Sequence, residues 1–403
     1  MKEILLAGVI ALIFSFFGTP ALIKLLARHG YGQMIRDDGP QSHHSKRGTP
    51  TMGGIAIILS TIVGYVAAHL ILGITFSASA ILVIALFTGL GLVGFIDDYL
   101  KVIKARSLGL NSMQKIIGQV LVAGLFGYFG TKFPDNDGLT PISLNLSFLR
   151  DTSIKLGLVA LIIWVIFMVT ATSNGVNLTD GLDGLATGAS VMSFLAFVLI
   201  GVWQFGQSCS VEAVTNCYEV RDPMDLAVLA AALAASCTGF LWWNTSPAKI
   251  FMGDTGSMFI GFILSALVIE IMASDYPTYI KTIQPSNVPH LLIGMLYIPV
   301  FDSIRIFIAR ASEGKSPFAP DRTHIHHLLM DYHGWNHRKT SATIVVINIG
   351  ICLLVWQTAV HAPQWAVVSV LLGLGIGLSL YLRNLRRVIE VRKVVKAKKE
   401  VKS

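Results

Sequence analysis

The chain has 403 residues, 53% of them hydrophobic and only 13% charged, with a mean hydropathy of +0.66 and a formal net charge of +8. Soluble domains carry roughly 25% charged residues, so these proportions exclude a soluble protein and place the chain in a membrane. The apolar runs are long and do not alternate, and lipid forces backbone groups to pair within each segment, which selects helices over a barrel.

Runs near the ~20 apolar residues needed to cross a bilayer predict spans at about 4–26, 53–72, 79–96, 116–131, 155–172, 185–203, 226–243, 257–274, 290–309, 341–360 and 364–382. The expected fold is an all-α, polytopic integral membrane protein of about 10–11 transmembrane helices. It forms a single membrane domain over 1–403 with a basic cytoplasmic tail at 383–403, expected to lie as a surface helix on anionic lipid. Residues 1–26 have a weak n-region and no A-x-A site, so they read as the first span rather than a cleaved signal.

Lys and Arg concentrate in one set of connections, including Lys46, Lys101, Lys115, Lys249, Arg322 and the tail from Arg383 to Lys399. The positive-inside rule makes that set cytoplasmic and puts the N-terminus outside. The cytoplasmic loops are then about 27–52, 97–115, 173–184, 244–256 and 310–340. Cys209 and Cys217 share an external loop, where a disulfide is permitted, while Cys237 and Cys352 lie within spans as small apolar fillers.

The carboxylates gather in the polar breaks of the cytoplasmic face. Asp97 and Asp98 end the third predicted span. Adjacent helical residues point about 100° apart, so one carboxylate is expected to ligate while the other handles a proton or a lysine. The plainer reading is a solvated helix end with Asp98 paired to Lys101. Asn174, Asn177, Asp180 and Asp183 fill the next break, with the two aspartates expected on one face at the start of the following helix. Capping accounts for one such Asp but not for the whole set. Asp254 sits between Gly253 and Gly256, again before a helix, and reads as either an N-cap or a ligand for a hard cation.

His324, His326 and His327 follow Arg322 in a break that suits phosphate or sugar contact better than a closed zinc site. A second basic cluster, His43, His44, Lys46 and Arg47, invites a similar reading. Asp302 and Arg305, three residues apart within a span, read as a mutual structural ion pair. Acidic groups beside Lys and His on one membrane face point to a metal ion and a phosphorylated substrate. A transporter would instead place its polar groups near the midplane, and no nucleic-acid partner is expected.

Four stretches together resemble the polyprenyl-phosphate N-acetylhexosamine-1-phosphate transferase superfamily: Ile35–Gly54, Gly94–Lys101 with Gly109–Lys115, Asn174–Gly184 and Asn244–Ser257. Within it they are most similar to the phospho-N-acetylmuramoyl-pentapeptide-transferase branch. The last quarter departs from that branch. Its usual Ala-Pro-x-His-His-His loop is here Ala319-Pro-Asp-Arg-Thr-His-Ile-His-His327, with Leu328 in place of the third histidine and His324 additional, and an eleventh span follows. That pattern is similar to the sister branch that transfers GlcNAc-1-phosphate.

The resemblance implies attack by undecaprenyl phosphate on a UDP-sugar, with Mg2+ as cofactor, at the cytoplasmic face of a bacterial inner membrane. It implies Asp254 as principal metal ligand with Asp97 and Asp98 nearby, these three forming the catalytic set. Asn174, Asn177, Asp180 and Asp183 would position the nucleotide diphosphate. Asn244, Phe251 and Gly253 would belong to the uridine pocket. Lys46, Thr51, Lys101 and Lys115 would contact uridine or phosphate, and Arg322, His324, His326 and His327 the donor sugar. The donor, MurNAc-pentapeptide or GlcNAc, stays open, as does pairing into a homodimer.

Overall fold

The computed structural model describes residues 1–28, 48–103, 109–136, 138–147, 151–209, 211, 217, 219–261, 274–275, 297–312, 314 and 323–400. The helices are α1 (Lys2–Arg28), α2 (Gly54–Leu72), α3 (Ala78–Ile103), α4 (Ser112–Phe129), α5 (Leu158–Thr179), α6 (Leu185–Gly206) and α7 (Pro223–Asn244). They continue as α8 (described over 253–261), α9 (Tyr297–Ser312), α10 (Ile325–His333), α11 (His337–His361) and α12 (Gln364–Glu400). Two short antiparallel pairs, β1 (Asn145–Ser147) with β2 (Asp151–Lys155) and β3 (Glu219–Val220) with β4 (Ser274–Asp275), complete the described elements.

Eight of the described helices, α1, α2, α3, α5, α6, α7, α11 and α12, are long and apolar enough to cross a membrane. The chain is thus an all-α, polytopic membrane protein. Of the other predicted spans, 116–131 falls on α4, while 257–274 and 290–309 are described only through 261 and from 297. The described part of the basic tail, 383–400, is the uninterrupted end of α12, a helix of 37 residues.

Helix α7 is the hub, packed against α1, α2 and α6. Apolar side chains gain nothing by leaving lipid for one another, so such packing depends on small residues that let backbones approach. A Cβ on Gly239 of α7 would lie 2.9 Å from both Leu12 O and Phe16 N of α1. Hydroxyls add cross-links: Ser15 Oγ donates to Ser236 O at 2.7 Å, and Thr61 Oγ1 to Ser236 Oγ at 3.1 Å.

The bundle has two polar ends of different character. At one end, Arg221 bridges Asp135 and Asp222, Tyr65 donates to Asp225, and the Cys209–Cys217 disulfide closes a loop. At the opposite end lie the junctions α3–α4, α5–α6 and α7–α8, which carry the carboxylates. Cys237 is a buried free thiol and Cys352 a partly buried one.

Candidate active site

The last two turns of α3 present Asp97, Asp98 and Lys101 at the i, i+3 and i+4 spacings that bring side chains together on a helix. Lys101 Nζ reaches Asp97 Oδ2 at 2.6 Å and Asp98 Oδ1 at 3.5 Å. The chain returns at 109–111, where Leu110 N donates to Asp97 Oδ1 at 2.7 Å. Asn111 then opens α4 with a reciprocal capping box, its side chain accepting from Gln114 N while Gln114 Oε1 accepts from Asn111 N. That cap fixes the first turn and aims Lys115 inward, 3.1 Å from Asp97 Oδ2 and 2.5 Å from Asp254 Oδ2.

Asp254 arrives from a distant part of the chain. Its segment is stitched to the residues before α2: Phe251 N donates to Pro50 O, Gly53 N to Phe251 O and Gly54 N to Met252 O, at 2.8–2.9 Å. Gly253, at φ +73°, then turns the chain into α8, a left-handed conformation that glycine adopts without strain. A Cβ there would lie 2.5 Å from Asp98 Oδ2 and 2.8 Å from Thr51 Oγ1, so the turn has no room for a side chain.

Asp98 caps α8 from outside. Its Oδ1 accepts from Asp254 N at 3.2 Å, and its Oδ2 from Thr255 N at 2.9 Å and Thr255 Oγ1 at 2.8 Å. A carboxylate at the end of its own helix opposes that helix's dipole, but here it satisfies the orphan N–H groups of another.

Asp254 Oδ2 accepts from Lys101 Nζ at 2.9 Å, and its Oδ1 from Asn177 Nδ2 at 2.9 Å. Asn177 Nδ2 also stands 2.7 Å from Ser257 Oγ. Burial works to raise the Asp254 carboxyl, yet the ammonium groups of Lys101 and then Lys115 hold it well below the usual carboxylate range. One oxygen from each of Asp97, Asp98 and Asp254 lies within 4.8 Å of the others. Among the described residues, the buried Asp97 Oδ2 receives no well-directed hydrogen bond, although both ammonium groups stand at ion-pair distance. An all-oxygen, carboxylate-rich set with an unsatisfied lone pair fits a hard divalent cation.

The other expected residues divide. Asn174 lies one turn earlier on α5 and donates to Gln119 Oε1 and Thr170 O, away from the carboxylates. Asp180 and Asp183 do not share a helix face. Helix α5 continues to Thr179, Asp180 is its C-cap, and Asp183 precedes α6 with its Oδ2 accepting from Ala248 N at 3.3 Å. The buried Asn244 amide is engaged by Thr187 Oγ1 and Ile250 O, closing the turn between α7 and α8. Phe251 keeps a partly exposed side chain beside that turn. Lys46, Arg322, His43, His44 and Arg47 lie outside the described residues.

The histidines sit at the start of α10. His324 Nδ1 is 2.9 Å from Asp302 Oδ2, and Arg305 donates to Asp302 Oδ1 at 2.7 Å, so the expected Asp–Arg pair is a triad. His326 is buried, and its Nε2 has no hydrogen-bond partner among the described residues. Its ring abuts Gly181, where a Cβ would lie 2.7 Å from Nε2. His327 stacks obliquely on it, with centroids 4.2 Å apart. Sequence reasoning passed over Thr255, Ser257 and Leu110, whose donors shape the site. Thr255 and Ser257 are signalled only by standing beside Asp254 in a glycine-rich break, and Leu110 only by following Gly109.

Residues 79–272 match the Glycosyl transferase family 4 profile, and residues 46–58 match Phospho-N-acetylmuramoyl-pentapeptide-transferase signature 1. The chain is 59% identical over 273 residues to a phospho-N-acetylmuramoyl-pentapeptide-transferase of Streptomyces avermitilis, which covers 67% of this chain and 76% of that protein. The chain belongs to the phospho-N-acetylmuramoyl-pentapeptide-transferase family. Proteins of the same name from Frankia casuarinae and Kocuria rhizophila are 54% and 51% identical over 272 and 284 residues, again 67% of this chain and 76% and 75% of theirs. The signature stretch of this transferase family runs through Thr51 to Gly54, the segment that pairs with the turn leading to Asp254.

Proposed function

We propose that this chain transfers phospho-N-acetylmuramoyl-pentapeptide from its UDP-linked precursor to undecaprenyl phosphate, forming lipid I and releasing UMP. The observation that carries the reading is the convergence of Asp97, Asp98 and Asp254 with Lys101 and Lys115 at one end of a membrane bundle, in a chain of this family. The site would face the cytoplasm of a bacterial inner membrane, within a bundle of ten or eleven spans whose N-terminus is outside.

An oxygen of the lipid phosphate attacks the sugar-proximal phosphorus. The bond from that phosphorus to the bridging oxygen breaks, and UMP departs with the electron pair. Phosphoryl transfer of this kind is governed by positioning and charge neutralisation. Lys101 and Lys115 would balance charge on the phosphate oxygens. Asn177 orients Asp254, and Asp98 holds the 254–255 backbone in register. Asp254, Asp97 and Asp98 would hold Mg2+, which when bound neutralises the diphosphate and screens the leaving group. Phe251, Thr51 and Lys46 would meet the uridine, with Asn244 shaping their turn. Asn174, Asp180 and Asp183 would order the diphosphate segment, and Arg322, His324, His326 and His327 would face the sugar side.

The test is UMP release by purified protein given undecaprenyl phosphate, Mg2+ and either UDP-MurNAc-pentapeptide or UDP-GlcNAc. The reading expects turnover with the pentapeptide donor, abolished by EDTA and by Asp254→Asn in a protein that still melts cooperatively. Turnover with UDP-GlcNAc alone would move the assignment to the sister reaction, and turnover indifferent to Asp254→Asn would remove the metal role.

A further inference from the structure

Helix α10 has nine residues, too few to hold itself in place, so its position is set by what it leans on. Its first residue is tied to α9, where Ile325 N donates to Asp302. It also packs against α11 and against the far end of the chain. Helix α12 carries Leu382, Leu385 and Ile389 at helical spacing, only 1%, 2% and 7% exposed, although the surrounding sequence is rich in arginine. They belong to the same apolar cluster as Ile325, Leu328 and Leu329 of α10, and the two helices pack directly.

Polar contacts extend the seam. Arg392 Nη1 donates to Tyr332 O at 3.0 Å, with its guanidinium 4.9 Å over the Tyr332 ring. The Tyr381 hydroxyl lies 3.3 Å from His333 Nε2. A basic tail that served only to attract anionic lipid would need neither a buried Leu/Ile stripe nor a guanidinium spent on a backbone carbonyl. On α10 itself, His326 meets Gly181, four residues beyond the Asn177 that holds Asp254.

We propose that the stretch of α12 beyond Leu382 is a positioning strut: it seats the histidine helix, and with it His326, against the donor loop at Gly181, and thereby sets affinity for the UDP-sugar. The sugar-donor part of this statement rests on the function proposed above. Arg392, Leu385 and Ile389 are positioning residues, acting on the donor through α10.

The experiment compares the full-length chain with Arg392→Ala, with the double variant Leu385→Ala/Ile389→Ala, and with Tyr332→Phe, which keeps both the ring and the carbonyl. Hydrogen exchange at 325–333 and 180–184 reads the strut without reference to turnover. UMP release at varied donor and varied undecaprenyl phosphate reads its consequence. Faster exchange at both segments is expected in the first two variants, with donor KM raised on the order of tenfold, the scale of a small misplacement. The KM for the lipid should stay unchanged, and Tyr332→Phe should behave as the unaltered chain. Exchange at 325–333 that does not respond, or donor and lipid KM rising together, overturns the strut. An unaltered chain silent with both UDP-sugars would overturn the function reading instead, and the exchange data would still decide whether α12 seats α10.

Discussion

Replacing Asp98 by Asn tests the architecture of the site with a change of one atom type. Asp98 accepts from three donors on α8: Asp254 N, Thr255 N and Thr255 Oγ1. An asparagine has one acceptor oxygen. If that oxygen faces Thr255, the new amide N–H confronts Asp254 N across about the present 3.2 Å, donor against donor. Leaving one buried N–H unpaired costs about 1–3 kcal/mol, and losing charge assistance at the remaining bonds adds about 1 kcal/mol. A displacement of Asp254 worth about 2–4 kcal/mol corresponds to a fall in turnover on the order of 10²-fold. The assay is single-turnover UMP release at saturating donor, with thermal melting to show that the bundle persists. A double-mutant cycle sharpens it: Thr255→Val alone should cost about 2 kcal/mol through the lost charge-assisted hydroxyl bond, and about 1 kcal/mol in the Asp98→Asn background, where the same hydroxyl meets a neutral amide oxygen. Turnover within about threefold of the unaltered chain, or full additivity in the cycle, would refute the capping account.

Other expectations follow from the same geometry. Gly181→Ala places a methyl 2.7 Å from His326 Nε2, so the ring must shift; donor KM should rise while the melting temperature changes little, and an unchanged KM would detach His326 from the donor. His326 also carries a pH signature. Burial, followed by the neighbouring His327 and His324, holds its imidazole well below the ordinary 6.5. The unfolded chain therefore binds the extra proton first, and stability should decline as pH falls below about 6.5, by up to about 1.4 kcal/mol per unit. Melting curves from pH 7.5 to 5 should show a shallower decline in His326→Gln, and equal slopes would contradict it. Lys115→Met should weaken donor binding and leave the melting temperature nearly unchanged, because Lys101 still touches all three carboxylates; titration with UDP would show it.

The membrane class and most spans were legible because a span is written as a run of apolar residues. The carboxylate clusters were legible for the complementary reason, since charge is excluded from lipid and collects in the breaks. What escaped was set by distant partners. Asn174 to Thr179 reads as a polar turn, yet α5 stays helical there because Gln119, Ser257 and Asp254 take up the side-chain amides of Asn174 and Asn177. Asp98 reads as a residue at odds with its own helix until Asp254 N, 156 residues away, is placed against it. Leu385 and Ile389 are swamped in a charge run, and their stripe has meaning only when α10 lies alongside. The Asp302–Arg305 pair was visible from its spacing, whereas His324 as its third member needed the fold.

The order in which the charges meet bears on how the protein is made. Asp97, Asp98, Lys101 and Lys115 are synthesised within one short stretch, and the two ammonium groups can neutralise the two carboxylates as soon as α3 and α4 emerge. The nascent chain therefore need not carry a naked acidic pair at the membrane while the intervening helices are inserted. Asp254 reaches the same lysines only after 139 further residues beyond Lys115. Its arrival leaves three carboxylates facing two ammoniums, and the surplus negative charge that invites a cation appears only then. A cation drawn to this cluster would thus meet its full set of three carboxylates only after the bundle has assembled.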